Sequence, residues 1–442
     1  MSIYINIYLY KYLKFNKKKD LVCVQLKYKL FIRHIILLLS IRKGEKFMLM
    51  STSIKELVPY VLSVHNAKSI TDIPTEDKVH FLCELLDFTY KDLDEVIADH
   101  SPVLRTVRGH TFESYFDELL NINGYISQEV GGDTSTDRIV NGYALQLKTP
   151  YAAGTKGNIV QYKSHKTHGA KSEGESMEYY HSIESFPDFL VGLVSYNPQK
   201  ILILDKKELP LINDSYIVSP FEAVIDGNLA LNAFNRIGVK INPRSKVELL
   251  PEENEILPKT ANACGVTTEV IINTILNISN FRIWDMTIKG FAAERAFRNF
   301  LSSQNIKTEE PRITGRERFD KADFVYNNTG KYEFWQMKRL SINECDFKRP
   351  DPLLGVETQL TRGRVNDHPT RSRLYLYTDF DSLILAIEPV LANICNGIPS
   401  VEHGKWEFYK IPSDKLRRHP KFPNRFTSIQ RFSYSSLQEF RM

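Results

Sequence analysis

The chain has 442 residues, 42% of them hydrophobic and 25% charged, with a formal net charge of +5. Those values are ordinary for a soluble globular protein of two or three domains. The five cysteines (Cys23, Cys83, Cys264, Cys345 and Cys395) are scattered and lack metal-ligand spacing, which argues against a disulfide scaffold or a zinc ribbon and fits a reducing cytoplasm.

The charge is uneven along the chain. Residues 1–47 hold 11 basic and 2 acidic residues, 48–280 hold 20 and 31, and 281–442 hold 27 and 20. The C-terminal part is therefore the better candidate for meeting a polyanion. Residues 1–47 are rich in Ile, Tyr and Lys without an amphipathic period. The apolar run Ile35–Ile41 is too short to span a bilayer, and no small-residue cleavage site follows it. The stretch from Arg42 to Met48 can be encoded by a purine-rich segment resembling a bacterial ribosome-binding site. Met48 or Met50 is therefore expected as the start, with 1–47 a non-native leader; the alternative is a basic arm.

Residues 52–106 place apolar residues at three- and four-residue steps, which predicts helices. Ser53 and Thr75 are expected N-caps, and 48–108 is expected to form a helical subdomain. "GHTFESYFDELLNIN" (109–123) predicts a further helix. Strands follow around Arg138–Val140 and Tyr143–Lys148, joined by Asn141-Gly142, a strong hairpin signal. The polar stretch 152–180 reads as a long loop, and "DFLVGLVSY" and "KILILDKKELP" as two buried strands. A turn-rich segment before "TEVIINTILNISN" places a boundary near 255, dividing a domain over 109–255 from one over 256–442. "RLYLYT", "SLILAIE" and "WEFYKIP" read as strands of the latter.

The chain repeats itself. "GFAAERAFRNFLSSQNI" (290–306) parallels "GHTFESYFDELLNINGY" (109–125), with Gly, Glu, an aromatic and Leu in step. "KADFVYNNTGKYEFWQMKRLS" parallels "STDRIVNGYALQLKT". Each has Asp, a strand, a turn and a strand carrying Gln-x-Lys. An offset of this length means duplicated domains rather than a solenoid.

Alternate strand residues share a face, so Gln146 and Lys148 point the same way. Asp137 and Gln146 can then converge at adjacent strand ends and offer oxygens to a hard divalent cation. Lys148 can hold a water or offset charge at phosphorus, and Glu113 can add a carboxylate from the helix. The second copy supplies Glu294, Asp323, Gln336 and Lys338 in the same roles.

These segments resemble the catalytic hairpin of the PD-(D/E)xK phosphodiesterase superfamily, the fold of many type II restriction endonucleases, in its Gln-x-Lys variant. The likeness covers roughly 105–210 and 285–390. It implies an α/β (α+β) architecture with two restriction-endonuclease-like domains, each a central mixed sheet flanked by helices, beside the N-terminal helical subdomain. It also implies Mg²⁺-dependent, sequence-specific hydrolysis of double-stranded DNA that leaves 5′-phosphates. Asp137, Gln146, Asp323 and Gln336 would be the metal ligands. The protein would be a bacterial cytoplasmic monomer or homodimer, without a membrane, paired functionally with a cognate DNA methyltransferase. The sequence departs from the family in lacking the proline before each aspartate (Thr136 and Ala322 stand there) and in carrying Gln for the usual acid. The longer Asp-to-Gln spacing of the second copy implies a longer turn. Two alternatives remain: a transposase or repair-type nicking nuclease, and a DNA-binding protein on a degenerate nuclease fold.

Lesser candidates are Asp133 as a ligand, the tract 165–171 as a metal or DNA-clamping segment, and Tyr179, Tyr180 and His181 near the first site. Arg362, Arg364, Arg371 and Arg373 are candidate DNA contacts, since arginine reads guanine bidentately or grips phosphate. Trp335 is expected in the core.

Overall fold

The computed structural model describes residues 53–130, 134–150, 158–164, 180–196, 200–226, 233–242, 245, 247, 251, 253–278, 282–309, 322–359, 373–398 and 404–442. Two mixed five-stranded sheets flanked by helices form the frame. Among the described residues no helix is long and apolar enough to cross a membrane.

The chain enters through helices α1 (Ile54–His65), α2 (Thr75–Leu86), α3 (Tyr90–Ala98) and α4 (Ser101–Ile122). Thr89 starts α3 with a capping box, its hydroxyl accepting from Asp92 N while the Asp92 carboxylate accepts from Thr89 N. Of the two expected caps, Ser53 stands at the N-cap of α1 and Thr75 does not stand at that of α2. Pro74, not Thr75, precedes α2. Ser53 makes no cap bond of its own; Asp285, far along the chain, accepts from Ser53 Oγ at 2.6 Å and from Ile54 N at 3.2 Å.

Helix α4 crosses the expected boundary at 108/109. It runs unbroken through Gly109, burying Val103, Val107, Phe112, Phe116, Leu119 and Leu120 along one stripe. Residues just after the second expected boundary, near 255, also join this layer: α5 (Pro258–Cys264), α6 (Thr268–Ile275) and the π-helix Ile283–Ile288. Their Ile271, Ile272, Trp284 and Ile288 share one core with α1–α4 and with Leu145, Leu147 and Val191 of the first sheet.

The first half holds β1 (Gln128–Glu129), β2 (Arg138–Val140), β3 (Tyr143–Lys148), β4 (Ile159–Tyr162), β5 (Phe189–Ser195), β6 (Lys200–Asp205), a small ribbon of β7 (Leu211–Ile212) and β8 (Tyr216–Ile217), and β9 (Phe221–Val224). Its sheet runs β1-β2-β3-β5-β6, and the β4–β9 pair covers the face away from the helices. Helix α7 (Lys289–Ser303) opens the second half. There follow β10 (Thr308–Glu309), β11 (Phe324–Asn328), β12 (Lys331–Arg339), β13 (Leu353–Glu357), β14 (Ser382–Ile387), α8 (Pro389–Cys395), β15 (Glu407–Pro412) and β16 (Ile429–Ser433). The order β10-β11-β12-β14-β15 matches the first sheet, with β3–β5 and β12–β14 each the single parallel pair, and β13–β16 stands where β4–β9 does. "RLYLYT" forms no strand: Leu374 and Leu376 make only isolated bridges.

The duplication reaches individual hydrogen bonds. Asp137 N donates to Leu145 O at 2.8 Å and Asp323 N to Trp335 O at 2.9 Å. The side chain of Asp188 accepts from Ala144 N at 2.9 Å, and that of Asp381 from Phe334 N at 2.9 Å. The second hairpin does not have a longer turn. Both turns are two residues in the left-handed region, Asn141-Gly142 and Thr329-Gly330, and the extra residues lengthen the strands.

Gly192 of β5 lies under Tyr162, whose hydroxyl donates to Leu193 O at 2.9 Å. A Cβ there would sit 2.3 Å from the ring. Gly192→Ala should cost about 1–3 kcal/mol of stability, as overpacking does. A urea midpoint equal to wild type would show that this layer yields freely.

Candidate active site

In the second half, register places Gln336 opposite Asp323, one step beyond the paired Phe324 and Trp335. Asp323 is fixed by a backbone bond: Met337 N donates to its Oδ2 at 2.8 Å. Gln336 Nε2 donates to the same carboxylate oxygen and, at 3.4 Å, to Met337 O. Two oxygens from different strands thus converge on one partly positive nitrogen. Lys338, two residues on, shares the Gln336 face, and its Nζ lies 5.4 Å from the centre of the Tyr375 ring. Glu294 arrives from α7.

These groups line an open cleft of about 1040 Å³, together with Glu357, Gln359, Arg373 and Tyr375 on one wall. Asp285, Met286, Ser53 and Glu56 form another part of its lining. Burial pushes the Glu294 carboxyl up to about 7; the neighbouring Asp323 charge adds to this, and Arg298 and Lys338 oppose it. Burial also raises Asp323, against the pull of Lys338. Burial lowers Lys338, against the attraction of Asp323, Glu294 and Glu357. Lys289, at 2% exposure, pairs with Glu388, at 3%, across 3.2 Å, and Arg339 Nη2 donates to Asp285 O at 2.8 Å. These bonds tie the π-helix and α7 to the second sheet.

The first half assembles a similar but not identical group. Leu147 N donates to Asp137 Oδ2 at 2.7 Å, and the charges of Lys148 and Glu113 act on the same carboxylate. Burial raises Asp137, while Lys148 opposes and Glu113 adds to the rise. Gln146 turns elsewhere: its Oε1 accepts from Ser164 Oγ at 2.8 Å, in the β4–β9 layer. Glu113 lies 3.4 Å from Arg138 and 3.5 Å from His110. Burial alone would raise its pKa, but His110, Arg138 and Lys148 together hold it below the ordinary carboxylate value.

Among the described residues no group of three or more His, Cys, Asp or Glu side chains is placed to hold a metal ion. The second-half donor set is two carboxylates, an amide and a backbone carbonyl. That set fits Mg²⁺, which takes one or two protein carboxylates and keeps several waters.

Of the four arginines singled out in the sequence, Arg373 lines the cleft. Arg362, Arg364 and Arg371 lie outside the described residues, as do Asp133, residues 165–171 and Tyr179. His181 is buried against Phe186, ring centres 5.6 Å apart, which is a packing role. Trp335 is buried between Phe297 and Tyr326, as a core aromatic should be. Glu357 and Tyr375 were not foreseen. An acid closing an apolar run and a tyrosine in "RLYLYT" carry no local mark of a cleft. The backbone-capping aspartates Asp188 and Asp381 could have been found, since each directly precedes or lies one residue from a β-run at the same point of the repeat.

Comparison with known proteins returns nothing: no family model, curated protein or solved structure matches the chain.

In metal-free buffer the folded chain keeps the Glu294 proton to about pH 7, whereas an ordinary glutamate releases it near 4.5. Folding therefore takes up a proton in that window, and stability falls as pH rises through it. Asp323 contributes with the same sign. The thermal midpoint of Glu294→Gln should decline less than that of wild type across this range and exceed it above pH 7. Parallel curves for the two proteins would refute a raised Glu294.

Proposed function

We propose that the protein is a Mg²⁺-dependent DNA phosphodiesterase of the PD-(D/E)xK, type II restriction kind, acting in the bacterial cytoplasm beside a methyltransferase that protects host DNA. The observation that carries this reading is the convergence of Asp323, Gln336, Lys338 and Glu294 on one open cleft. The excess of basic residues over 281–442 suits a polyanionic substrate.

Asp323, Gln336 and the Met337 carbonyl would hold Mg²⁺, with Glu294 at its side. The ion, when bound, supplies Lewis acidity at the scissile phosphate. The Gln336 amide must turn to bring its oxygen rather than its nitrogen toward Asp323. Lys338 stands between carboxylates and an aromatic face. There it can orient the attacking water and offset charge as the phosphorus gains a fifth oxygen. Burial lowers its pKa, so it yields a proton more readily than a solvated lysine. Glu294 exchanges its proton near neutral pH and can pass one at the reacting end of the cleft. Attack in line with the bond to the 3′ oxygen leaves a 3′-hydroxyl and a 5′-phosphate. Arg373, which lines the cleft, would meet a backbone phosphate.

With Mg²⁺, unmethylated plasmid and phage DNA should be cut, and EDTA should stop the reaction. Lys338→Ala should lower the rate by about 100-fold or more with an unchanged melting curve. The ends should be ligated without kinase treatment. Shifted but uncut DNA across diverse substrates would instead mark a binding protein on a nuclease-like frame.

A further inference from the structure

We propose that each chain has one catalytic centre, in the second half, and that the first-half cluster is a closed counterpart locked by Arg138 across Glu113 and Asp117. One polypeptide then cuts one strand, and a double-strand break requires a second copy of this chain. This inference rests on the nuclease reading of the second site.

The two clusters can be compared position by position because their frames coincide. Glu113 and Glu294 occupy the same place on α4 and α7, in the matching Gly–Glu–aromatic–Leu pattern. Four residues on, the first helix has Asp117 and the second Arg298. After the strand aspartate, the first half has Arg138 and the second Phe324. A cation is kept near each glutamate, but it has moved from helix to strand, and the consequences differ.

Arg138 is 6% exposed. Its Nε reaches both Asp117 oxygens at 3.0 and 3.1 Å, its Nη2 donates to Asp117 Oδ2 at 3.0 Å, and its Nη1 donates to the Asp137 carbonyl at 2.9 Å. Nη2 also lies 3.4 Å from Glu113 Oε2. The guanidinium is thus held by Asp117, Glu113 and the Asp137 carbonyl, and Glu113 is the carboxylate that a divalent ion would need. His110 Nδ1 lies 3.5 Å from the same Glu113 oxygen. Arg298 instead lies over the Phe324 ring, 5.1 Å from its centre, and Glu294 makes no ion pair within 4 Å among the described residues.

The amides differ in the same sense. Gln146, 4% exposed, gives its oxygen to Ser164, whose own N–H donates to Ser219 Oγ at 2.9 Å. Gln336 contacts its aspartate. Two of the four first-half groups are therefore committed to partners within the protein. What remains, Asp137 and Lys148, lacks a complete donor set for the ion.

The test pairs cleavage with metal counting on the full chain. Mn²⁺ binding, followed by paramagnetic resonance, should show one tight site per chain, lost in Asp323→Asn and retained in Asp137→Asn; either asparagine can still accept the strand N–H. With Mg²⁺ and supercoiled plasmid, Lys338→Ala should lose about 100-fold or more in nicking rate, and Lys148→Ala should stay within about threefold of wild type. Mixing wild type with excess Lys338→Ala should slow linearisation more than nicking. Two equivalent Mn²⁺ sites, or a Lys148→Ala loss equal to that of Lys338→Ala with an unchanged melting curve, overturns the inference and leaves the nuclease reading standing. One Mn²⁺ site lost in Asp323→Asn without any DNA cleavage overturns the nuclease reading and keeps the asymmetry of the halves. No Mn²⁺ binding overturns both.

Discussion

One contact organises both halves: a strand-opening aspartate accepts the N–H of the residue lying between Gln and Lys on the neighbouring strand. At the end of a hairpin that N–H has lost its regular ladder partner, and a buried unpaired amide is costly. The carboxylate satisfies it and so fixes where the hairpin stops. The same bond holds one carboxylate oxygen against the backbone at the mouth of the sheet. Fold and the proposed chemistry therefore draw on a single side chain, and Gln and Lys flank the bonded N–H with the two-residue strand period. Asp188 and Asp381 use the same device one strand further on, where the parallel pair begins.

What could be read from the sequence is what is local. The Asn-Gly turn, the alternation along Tyr143–Lys148 and the stripe of Phe112, Phe116 and Leu120 each depend on neighbours within a few residues. The repeat was visible for the same reason. The segments 52–106 and 109–123 read as separate helices in the sequence, whereas the apolar stripe from Val103 to Leu120 continues across Gly109 in one helix. The turn length of the second hairpin was misread because residue count alone cannot separate a longer loop from longer strands. The Asp285 cap on α1, the Glu357 wall and the Arg138 lock join residues brought together only by folding. No spacing in the chain announces them.

The electrostatics of the two clusters separate although their backbones agree. In the second half, carboxylates and an ammonium are drawn from water around an open space, so each disfavours the charge of its like neighbour. In the first half, His110 and then Arg138 and Lys148 outweigh burial at Glu113 and hold its carboxyl below the ordinary value. A group held poised can respond to a substrate; a group already paired is at rest. The Lys289–Glu388 pair, almost wholly buried, belongs to the second kind, and removing either partner would strand the other charge in the interior.

The interior shared by α1–α6, the π-helix and the first sheet bears on how this protein can change over generations. Duplicated modules usually remain separable, so that either can be recombined elsewhere. Here the segment between the repeats contributes Ile271, Ile272, Trp284 and Ile288 to the first half's interior, while Trp406 of the second donates to Leu86 O at 2.6 Å. A cut near residue 255 would leave oily surface on both fragments. The copies have become obligate neighbours, inherited as one unit, which leaves one of them free to lose its chemistry so long as it keeps its shape.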